Sequence, residues 1–411
     1  MKELLKNKNV LILWISRALS RFGDAFESLA LMYLVYDLTG SALAMGTIMI
    51  FSMVPNLVVS PLAGVIVDRY NKKVVMFFSE LVRTILILAI PVLMYFKVIE
   101  FWHICAIAVG VSIAESFYEP CSGVVFKLIV SDDQLPLLNS LSTTTNSIMR
   151  MIGYSLSTTA MVFLGKEIIF IIDSATFLIS AIAALLMTIP VLKVDKLDSY
   201  KQVFTDFKEG LDYVKAKKFI LVILAAYFII DGVGTPVTEF MPILTGEMLK
   251  INAAWAGYLL TITSVGTIVG SILYPILVKF KLTLESIFFM GFVLLGAVML
   301  VPCFLPHYIT AIVLFFIFGV ISPIISSWGM TYVQINTDVK YLGRVSSVMN
   351  IAILSSVPLA GALVGWGVDV LSLKNIIEIA AAISIISGMI LYKIFKKCKV
   401  VKEVKAEPIV S

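Results

Sequence analysis

The sequence predicts an all-α polytopic membrane protein with twelve transmembrane helices in two six-helix pseudo-repeats. Three observations support this fold class. The chain of 411 residues is 60% hydrophobic and only 14% charged, against roughly a quarter charged in ordinary soluble domains. Its apolar runs approach the ~20 residues that cross a bilayer as a helix, and they are too long and uniform for the alternating strands of a membrane barrel. One long polar segment, residues 191–218, separates six such runs from six more.

The first six spans are placed at residues 9–36, 43–66, 74–96, 101–125, 137–164 and 168–190. The last six are placed at residues 219–246, 253–279, 284–304, 308–332, 343–367 and 373–396. The chain then divides into an N-terminal bundle over 1–190, a linker over 191–218, a C-terminal bundle over 219–396 and a tail over 397–411 that we expect to be disordered. An acidic segment around Asp133, ahead of span five, has a counterpart around Asp338, ahead of span eleven, as in transporters with duplicated halves.

The linker is expected to contain a helix of its own. Phe204, Phe207, Leu211 and Val214 recur at helical spacing, while charged residues occupy the remaining positions. This pattern predicts an amphipathic helix lying on the cytoplasmic surface. A solvated tether is the alternative interpretation.

The distribution of Lys and Arg predicts the orientation of the chain. Outside the spans, four cations fall on one side: Lys97, Lys166, Lys250 and Lys374. All other Lys and Arg outside the spans lie in the N-terminal segment, in the C-terminal tail, or in the loops after spans two, four, six, eight and ten. Because positive charge is concentrated in cytoplasmic loops, both termini are expected in the cytoplasm.

Arginine is selectively placed inside the predicted spans. No lysine lies deep in a span, yet four of the six arginines do: Arg17, Arg21, Arg83 and Arg150. A guanidinium keeps its charge in a low dielectric, whereas a buried ammonium tends to lose its proton. A charge in the bilayer is costly and must face the protein interior or water. We therefore expect these arginines to form a buried ion network with Glu80 and Asp173.

Six further carboxylates are candidates for proton coupling or substrate binding: Asp24, Glu27, Glu115, Glu119, Asp231 and Glu239. Glu115 and Glu119 stack one turn apart, where two negative charges in a low dielectric favour a shared proton. No cation lies near either of them in the sequence, and the same holds for Asp231 and Glu239, which favours a functional role.

The charges of span one allow two interpretations. Arg17, Arg21 and Asp24 fall on one stripe of the helix and can form an ion ladder, with Glu27 to the flank. The ladder can take part in binding and coupling, or it can be a set of structural ion pairs that fix the register of the helices. The sequence leaves both interpretations open.

Signals of other function classes are missing from the sequence. The two histidines, His103 and His307, lie near span ends, and the four cysteines show no paired spacing. There is no metal-ligand cluster and no phosphate-binding loop. We therefore expect no enzyme activity, cofactor or metal, and the net charge of +5, which resides in loops, does not indicate nucleic acid. Transport driven by an ion or solute gradient is the leading interpretation, and a non-transporting membrane sensor is a remote one.

Residues 64–73 read G-x-x-x-D-R-x-x-K-K and resemble the loop between helices two and three of the major facilitator superfamily. Five other segments resemble motifs of the bacterial branch that includes macrolide-efflux proteins and the enterobactin exporter. In chain order these are residues 20–24, 38–41, 80–83, 204–213 and 342–345. The resemblance covers nearly the whole chain.

This resemblance implies the major facilitator fold and a rocker-switch exporter in the bacterial cell membrane. Its substrate would be an amphipathic small molecule, such as a macrolide-like drug or a siderophore, exchanged for protons by a monomer. A lysophospholipid flippase or an uptake symporter on the same fold is the alternative. The resemblance also implies a cytoplasmic gate motif of Gly64, Asp68, Arg69, Lys72, Lys73 and Arg344.

Overall fold

A computed structural model describes residues 6–131, 134–189, 200–280 and 282–397. In the first half the helices are α1 (Lys8–Thr39), α2 (Ala42–Arg69), α3 (Lys72–Tyr95), α4 (Phe101–Ile129), α5 (Leu135–Leu164) and α6 (Lys166–Leu186). The linker contains α7 (Tyr200–Ala216). The second half contains α8 (Lys218–Thr238), α9 (Met241–Ile243), α10 (Ala254–Lys279), α11 (Leu284–Phe304), α12 (Tyr308–Asn336), α13 (Val339–Val370) and α14 (Leu373–Lys397). Beyond residue 397, the predicted tail lies outside the described residues.

Helices of membrane-spanning length confirm the predicted fold class. Ten of the described helices are long and apolar enough to cross a membrane: α2, α3, α4, α6, α8, α10, α11, α12, α13 and α14. Two more, α1 and α5, have 32 and 30 residues but are more polar. The central turns of α1 carry four charged side chains, and α5 is rich in Ser and Thr. No strand occurs among the residues described above.

The described helices separate into two units. The first contains α1–α6 and the second contains α7–α9 and α11–α14, with α10 divided after Tyr258. Within the first unit, α1 packs against α5 and α6, and α3 packs against α4 and α6. Within the second unit, α8 packs against α13 and α14, and α11 packs against α12 and α14. The second set of pairs repeats the first in order, as two copies of one six-helix unit would.

The seventh predicted span is shorter than the sequence pattern indicates. Instead of one helix over 219–246, α8 ends at Thr238, and the short α9 and a π-helical turn over Leu244–Met248 follow. Pro242 explains the end, because it has no N–H for the carbonyl of Thr238 and its ring clashes with that carbonyl. Glu239 therefore caps α8, with its N–H bonded to the Thr235 carbonyl at 3.0 Å.

The linker helix α7 packs, within the second unit, on the first turns of α13. A Cβ built at Gly210 would lie 2.9 Å from the carbonyl oxygen of Arg344, so the two backbones touch. The Tyr213 hydroxyl donates to Asp338 Oδ2 at 3.1 Å. Arg344 Nη1 donates to Glu209 Oε2 at 2.5 Å. These protein contacts hold α7 in place, and its predicted contact with the membrane surface stays a prediction.

The close approach at Gly210 yields a testable prediction. We expect Gly210→Val to release α7 from α13, because an overpacked contact costs about 1–3 kcal/mol, which corresponds to roughly fivefold or more in the docking equilibrium. Trypsin should then cleave the purified protein faster at Lys208 and Lys215. Gly343→Val is the matched control, since a Cβ at that position on α13 meets nothing within 4 Å. Equal cleavage rates in the two variants would show that Gly210 does not hold the helix.

Candidate functional site

The interior of the first unit gathers the charged side chains of α1, α3 and α4 into one cluster. On α1, Arg17, Arg21 and Asp24 recur every three or four residues, so they share one face of the helix. The predicted charged residues of α3 and α4 meet this face through ion pairs shorter than 4 Å. We call this set of residues the charged cluster: Arg17, Arg21, Asp24, Glu27, Glu80, Arg83, Glu115 and Glu119.

Arg21 forms the centre of the charged cluster. Its Nη1 donates to Asp24 Oδ2 at 3.2 Å and to Glu115 Oε1 at 3.3 Å. Its Nη2 donates to Glu119. One guanidinium thus links three carboxylates of two helices, which its planar fork of donors permits and a lysine ammonium would not.

Glu115 and Glu119, which have no cation near them in the sequence, have cationic partners in the fold. Arg17 Nη2 lies 3.2 Å from Glu119 Oε2, and Arg21 reaches both carboxylates. The cations belong to α1, which is remote in sequence, and only the packing of α1 on α4 brings them close. Each of the two carboxylates therefore has a guanidinium beside it, which the sequence order of α4 does not reveal.

Arg83 joins α3 to α1 at the most buried point of the cluster. Its Nη1 donates to Glu80 Oε1 at 3.2 Å and its Nη2 to Asp24 Oδ1 at 2.5 Å. The side chain of Arg83 is 4% exposed and that of Glu80 is 0% exposed. The guanidinium also lies over the Phe177 ring, with Cζ 3.8 Å from the ring centroid. Two carboxylates and an aromatic face together compensate the lost hydration of this cation.

Two other carboxylates have no ion pair within the part of the chain that the structure describes. Glu27 makes neither a hydrogen bond nor an ion pair there. Asp173 of α6 is buried against Gly23 of α1 and accepts one side-chain hydrogen bond, from the Thr176 hydroxyl at 3.4 Å. The structure therefore places Asp173 beside the charged cluster without making it a member of the predicted ion network.

A cavity of about 230 Å³ opens onto the charged cluster. Pockets for drug-sized ligands measure roughly 300–1,000 Å³, so this cavity has room for part of a larger molecule or for a small group with water. Its polar wall is formed by Arg21, Asp24, Glu27, Arg83 and Glu115. Its apolar wall includes Leu31, Ile87, Ile90, Ile104 and Ile107. The cavity can therefore hold a charged group on one side and an apolar group on the other.

Three further residues predicted for the coupling site or the ion network are not part of the charged cluster: Asp231, Arg150 and Glu239, which caps α8. Asp231 belongs to α8 of the second unit, where its Oδ2 accepts a hydrogen bond from the Ser356 hydroxyl at 2.9 Å. Arg150 is exposed on α5 and donates to the Tyr154 hydroxyl at 3.0 Å, so the prediction that it is buried is wrong. That prediction rested on its position inside a span, and a single charged residue does not reveal which face of a helix is buried.

The structure describes the gate motif in part. The side chains of three of its residues lie outside the described part of the chain: Gly64, Asp68 and Arg69. Lys72 is buried, and its Nζ donates to the carbonyls of Val67 at 2.6 Å and Tyr70 at 3.3 Å, so it ties the turn between α2 and α3. Lys73 is partly buried and Arg344 contacts α7. The role of this motif as a cytoplasmic gate stays a prediction.

The sequence interpretation missed three contacting residues. Ser122 accepts a hydrogen bond from Arg17, and its spacing of three from Glu119 on the same stripe of α4 could have indicated it. Phe177 contacts Arg83, and Ser356 contacts Asp231, but each partner lies on a helix remote in sequence.

No group of three or more His, Cys, Asp or Glu among the described residues has an arrangement that could hold a metal ion.

Comparisons with known proteins agree with this architecture. The family model described as Major Facilitator Superfamily matches residues 13–362. Macrolide efflux protein A of Streptococcus pyogenes is 22% identical over 343 residues, which cover 82% of this chain and 83% of that protein. Staphyloferrin A transporter of Staphylococcus aureus is 24% identical over 401 residues, which cover 92% and 94%. The crystal structure of nucleoside transporter NupG aligns with a TM-score of 0.74 at 13% identity over 95% of this chain and 99% of that one, which supports the fold alone.

Proposed function

This chain belongs to the major facilitator superfamily, and we propose that it exports an amphipathic small molecule in exchange for protons. Members of the family are membrane transporters of small molecules and not enzymes. The direction of transport, the coupling ion and the class of substrate are the proposed part. The observation that carries the proposal is a cavity in the first unit with a polar and an apolar wall, where one carboxylate makes no ion pair within the described part of the chain.

Glu27 is that carboxylate. The other carboxylates of the cavity wall, Asp24 and Glu115, each contact a guanidinium. A partly buried carboxylate without a counter-ion favours binding of either a proton or a positively charged group. Competition between these two ligands at one carboxylate is sufficient for exchange, because binding of the substrate then releases the proton.

Asp231 offers the corresponding group in the second unit. It lies in the middle of α8, and its carboxylate contacts a serine hydroxyl, a neutral group. A carboxylate in such surroundings also favours a bound proton over a free charge. We therefore assign proton coupling to Glu27 and Asp231, and we assign the orientation of the substrate to the arginine-paired carboxylates that line the cavity, Asp24 and Glu115.

The class of substrate is inferred from the cavity and from the relatives. The relatives are named as a macrolide efflux protein and a staphyloferrin A transporter. A cavity with a charged wall and an apolar wall is compatible with such molecules. The small volume of about 230 Å³ indicates that it receives one end of the substrate.

We place the protein in the bacterial cell membrane with both termini in the cytoplasm, acting as a monomer by alternating access. The support for the orientation is the concentration of Lys and Arg in one set of loops. Cysteines introduced near either terminus should react with a membrane-impermeant reagent only after the cells are opened. Labelling of intact cells would contradict this orientation.

Proton release is the direct test of the proposed exchange. Purified protein in weakly buffered solution is mixed with macrolides, siderophores and lysophospholipids in turn, and the released protons are counted. We expect release with one of the first two classes, a reduced release in Glu27→Gln or Asp231→Asn, and none in the double variant. Glu378→Gln is the matched control, because Glu378 lies near the beginning of α14 and, among the described residues, pairs with Lys374 at 3.9 Å.

Flux measurements in proteoliposomes separate the alternatives. We expect a pH difference to drive substrate export by the unaltered protein and not by the double variant. Wild-type flux in the double variant would refute the coupling assignment. Transfer of lysophospholipid without movement of macrolide or siderophore would instead establish a flippase, and accumulation together with protons would establish an uptake symporter.

A further inference from the structure

Asp231 and Ser356 form an isolated polar pair in the second unit. The sequence over 219–238, 254–278, 286–306, 308–336, 345–368 and 379–392 contains one charged residue, Asp231. Ser356 of α13 is 0% exposed, and its hydroxyl lies 2.9 Å from Asp231 Oδ2. It is the one side-chain donor to this carboxylate among the residues that the structure describes.

The Ser356 hydroxyl has two acceptors but one hydrogen. Its Oγ lies 2.6 Å from the carbonyl oxygen of Ile353 and 2.9 Å from Asp231 Oδ2. When Asp231 is charged, the hydroxyl can donate to the carboxylate and then leaves the Ile353 carbonyl. When Asp231 carries a proton, that proton can be donated to Ser356 Oγ, and the hydroxyl is free to donate to Ile353.

We propose that Ser356 is a positioning residue for proton exchange at Asp231, with a hydroxyl that turns between Asp231 and Ile353 as the proton leaves and returns. This inference rests on the proposed function insofar as Asp231 takes part in coupling. It extends that function by naming the group that couples the protonation state of Asp231, on α8, to the backbone of α13.

The surroundings of Asp231 leave Ser356 as its principal polar neighbour. Among titratable groups on α8, Tyr227 lies one turn away and donates its hydroxyl to the Ser326 carbonyl of α12. The helix α12 has no charged residue over 308–336. The charged residues of α13 and α14 lie near the ends of those helices: Asp338, Lys340, Arg344, Asp369, Lys374, Glu378, Lys393, Lys396 and Lys397.

The carbonyl of Ile353, to which the Ser356 hydroxyl can donate, lies close to a break in the hydrogen bonding of α13. Pro358 lies inside α13 and has no N–H to donate to the carbonyl of Leu354. The carbonyl of Ile353 therefore belongs to a turn in which the ladder of helical hydrogen bonds is already incomplete. Forming or breaking the hydrogen bond from the Ser356 hydroxyl to this carbonyl can therefore change the bend of α13 at the turn where the helix is easiest to bend.

Infrared difference spectroscopy of the purified protein in lipid tests this inference. When the pH is lowered, we expect a C=O stretching band of a protonated carboxyl group to appear in the unaltered protein. This band should be absent in Asp231→Asn. In Ser356→Ala this band should move to higher frequency, because the acid has lost its hydrogen-bond partner, and Ser356→Thr should restore it. Ser355→Ala is the matched control, since the Ser355 hydroxyl donates to the Ala352 carbonyl at 2.9 Å.

The outcomes distinguish this inference from the proposed function. If Ser356→Ala leaves the band in place while Asp231→Asn removes it, the role of Ser356 is refuted and the coupling role of Asp231 stands. If Asp231→Asn leaves the band unchanged, Asp231 does not exchange a proton, and both assignments at Asp231 fail. A shift in Ser356→Ala accompanied by a shifted pH profile of transport supports both.

Discussion

Replacing Arg83 by Met is expected to destabilise the first unit by about 3–5 kcal/mol, the usual cost of breaking a buried ion pair on one side. Glu80, which is 0% exposed, would then be left without its cation in the described structure. For a unit of about 200 residues this loss lowers the thermal midpoint by on the order of 10 °C. The thermal midpoint is measured by heating detergent-solubilised protein to a series of temperatures and recording the folded fraction by size-exclusion chromatography.

Two further variants decide whether the buried charge is the cause. The double variant Glu80→Gln with Arg83→Met removes both charges, so we expect it to recover much of the lost stability. Arg150→Met, which removes an exposed arginine, should leave the midpoint unchanged. A double variant as unstable as Arg83→Met alone would show that packing against Phe177, and not the unpaired carboxylate, accounts for the loss.

Replacing Arg21 by Met is expected to abolish transport while the protein remains folded. The side chain of Arg21 is 27% exposed and lines the cavity. Water can therefore hydrate the carboxylates that lose Arg21 better than those that lose the buried Arg83. It nevertheless releases Asp24, Glu115 and Glu119 from their shared guanidinium. Truncating one member of a hydrogen-bonded charge pair in a binding site costs about 2–5 kcal/mol, which corresponds to roughly 30-fold or more in affinity or rate.

Arg21→Lys separates charge from geometry. A lysine keeps the positive charge but offers a compact ammonium in place of a planar fork, so we expect partial transport with weakened substrate binding. The measurement is substrate flux in proteoliposomes, paired with the thermal midpoint of each variant and with Arg150→Met as the control. Full transport by Arg21→Met would remove the charged cluster from the mechanism and leave it a structural role.

The fold was predictable because membrane length and apolar composition are properties of short stretches of sequence. The linker helix was predictable from the spacing of Phe207, Leu211 and Val214, although its packing through Gly210 on α13 was not. The apolar composition does not reveal the end of α8, because Pro242, which prevents the helix from continuing, lies inside an apolar run. The family follows from the order of the motifs, and the family model confirms it.

The candidate site was predictable in its membership and not in its pairing. The sequence identified the charged residues of α1, α3 and α4, because a charge inside an apolar run is conspicuous wherever it faces. It could not show that Arg21 bridges Glu115 and Glu119, that Arg150 is exposed, or that Glu27 has no ion pair among the described residues.

The sequence by itself determined that this protein is a helical membrane transporter with two similar halves and ionisable groups in its interior. Those properties follow from local composition, from periodicity and from the order of motifs. Only the tertiary structure decided which carboxylates pair with arginine and which make no ion pair among the described residues. The physical reason is that an ion pair depends on distances of 3–4 Å between helices that are remote in sequence, and no local pattern encodes such a distance.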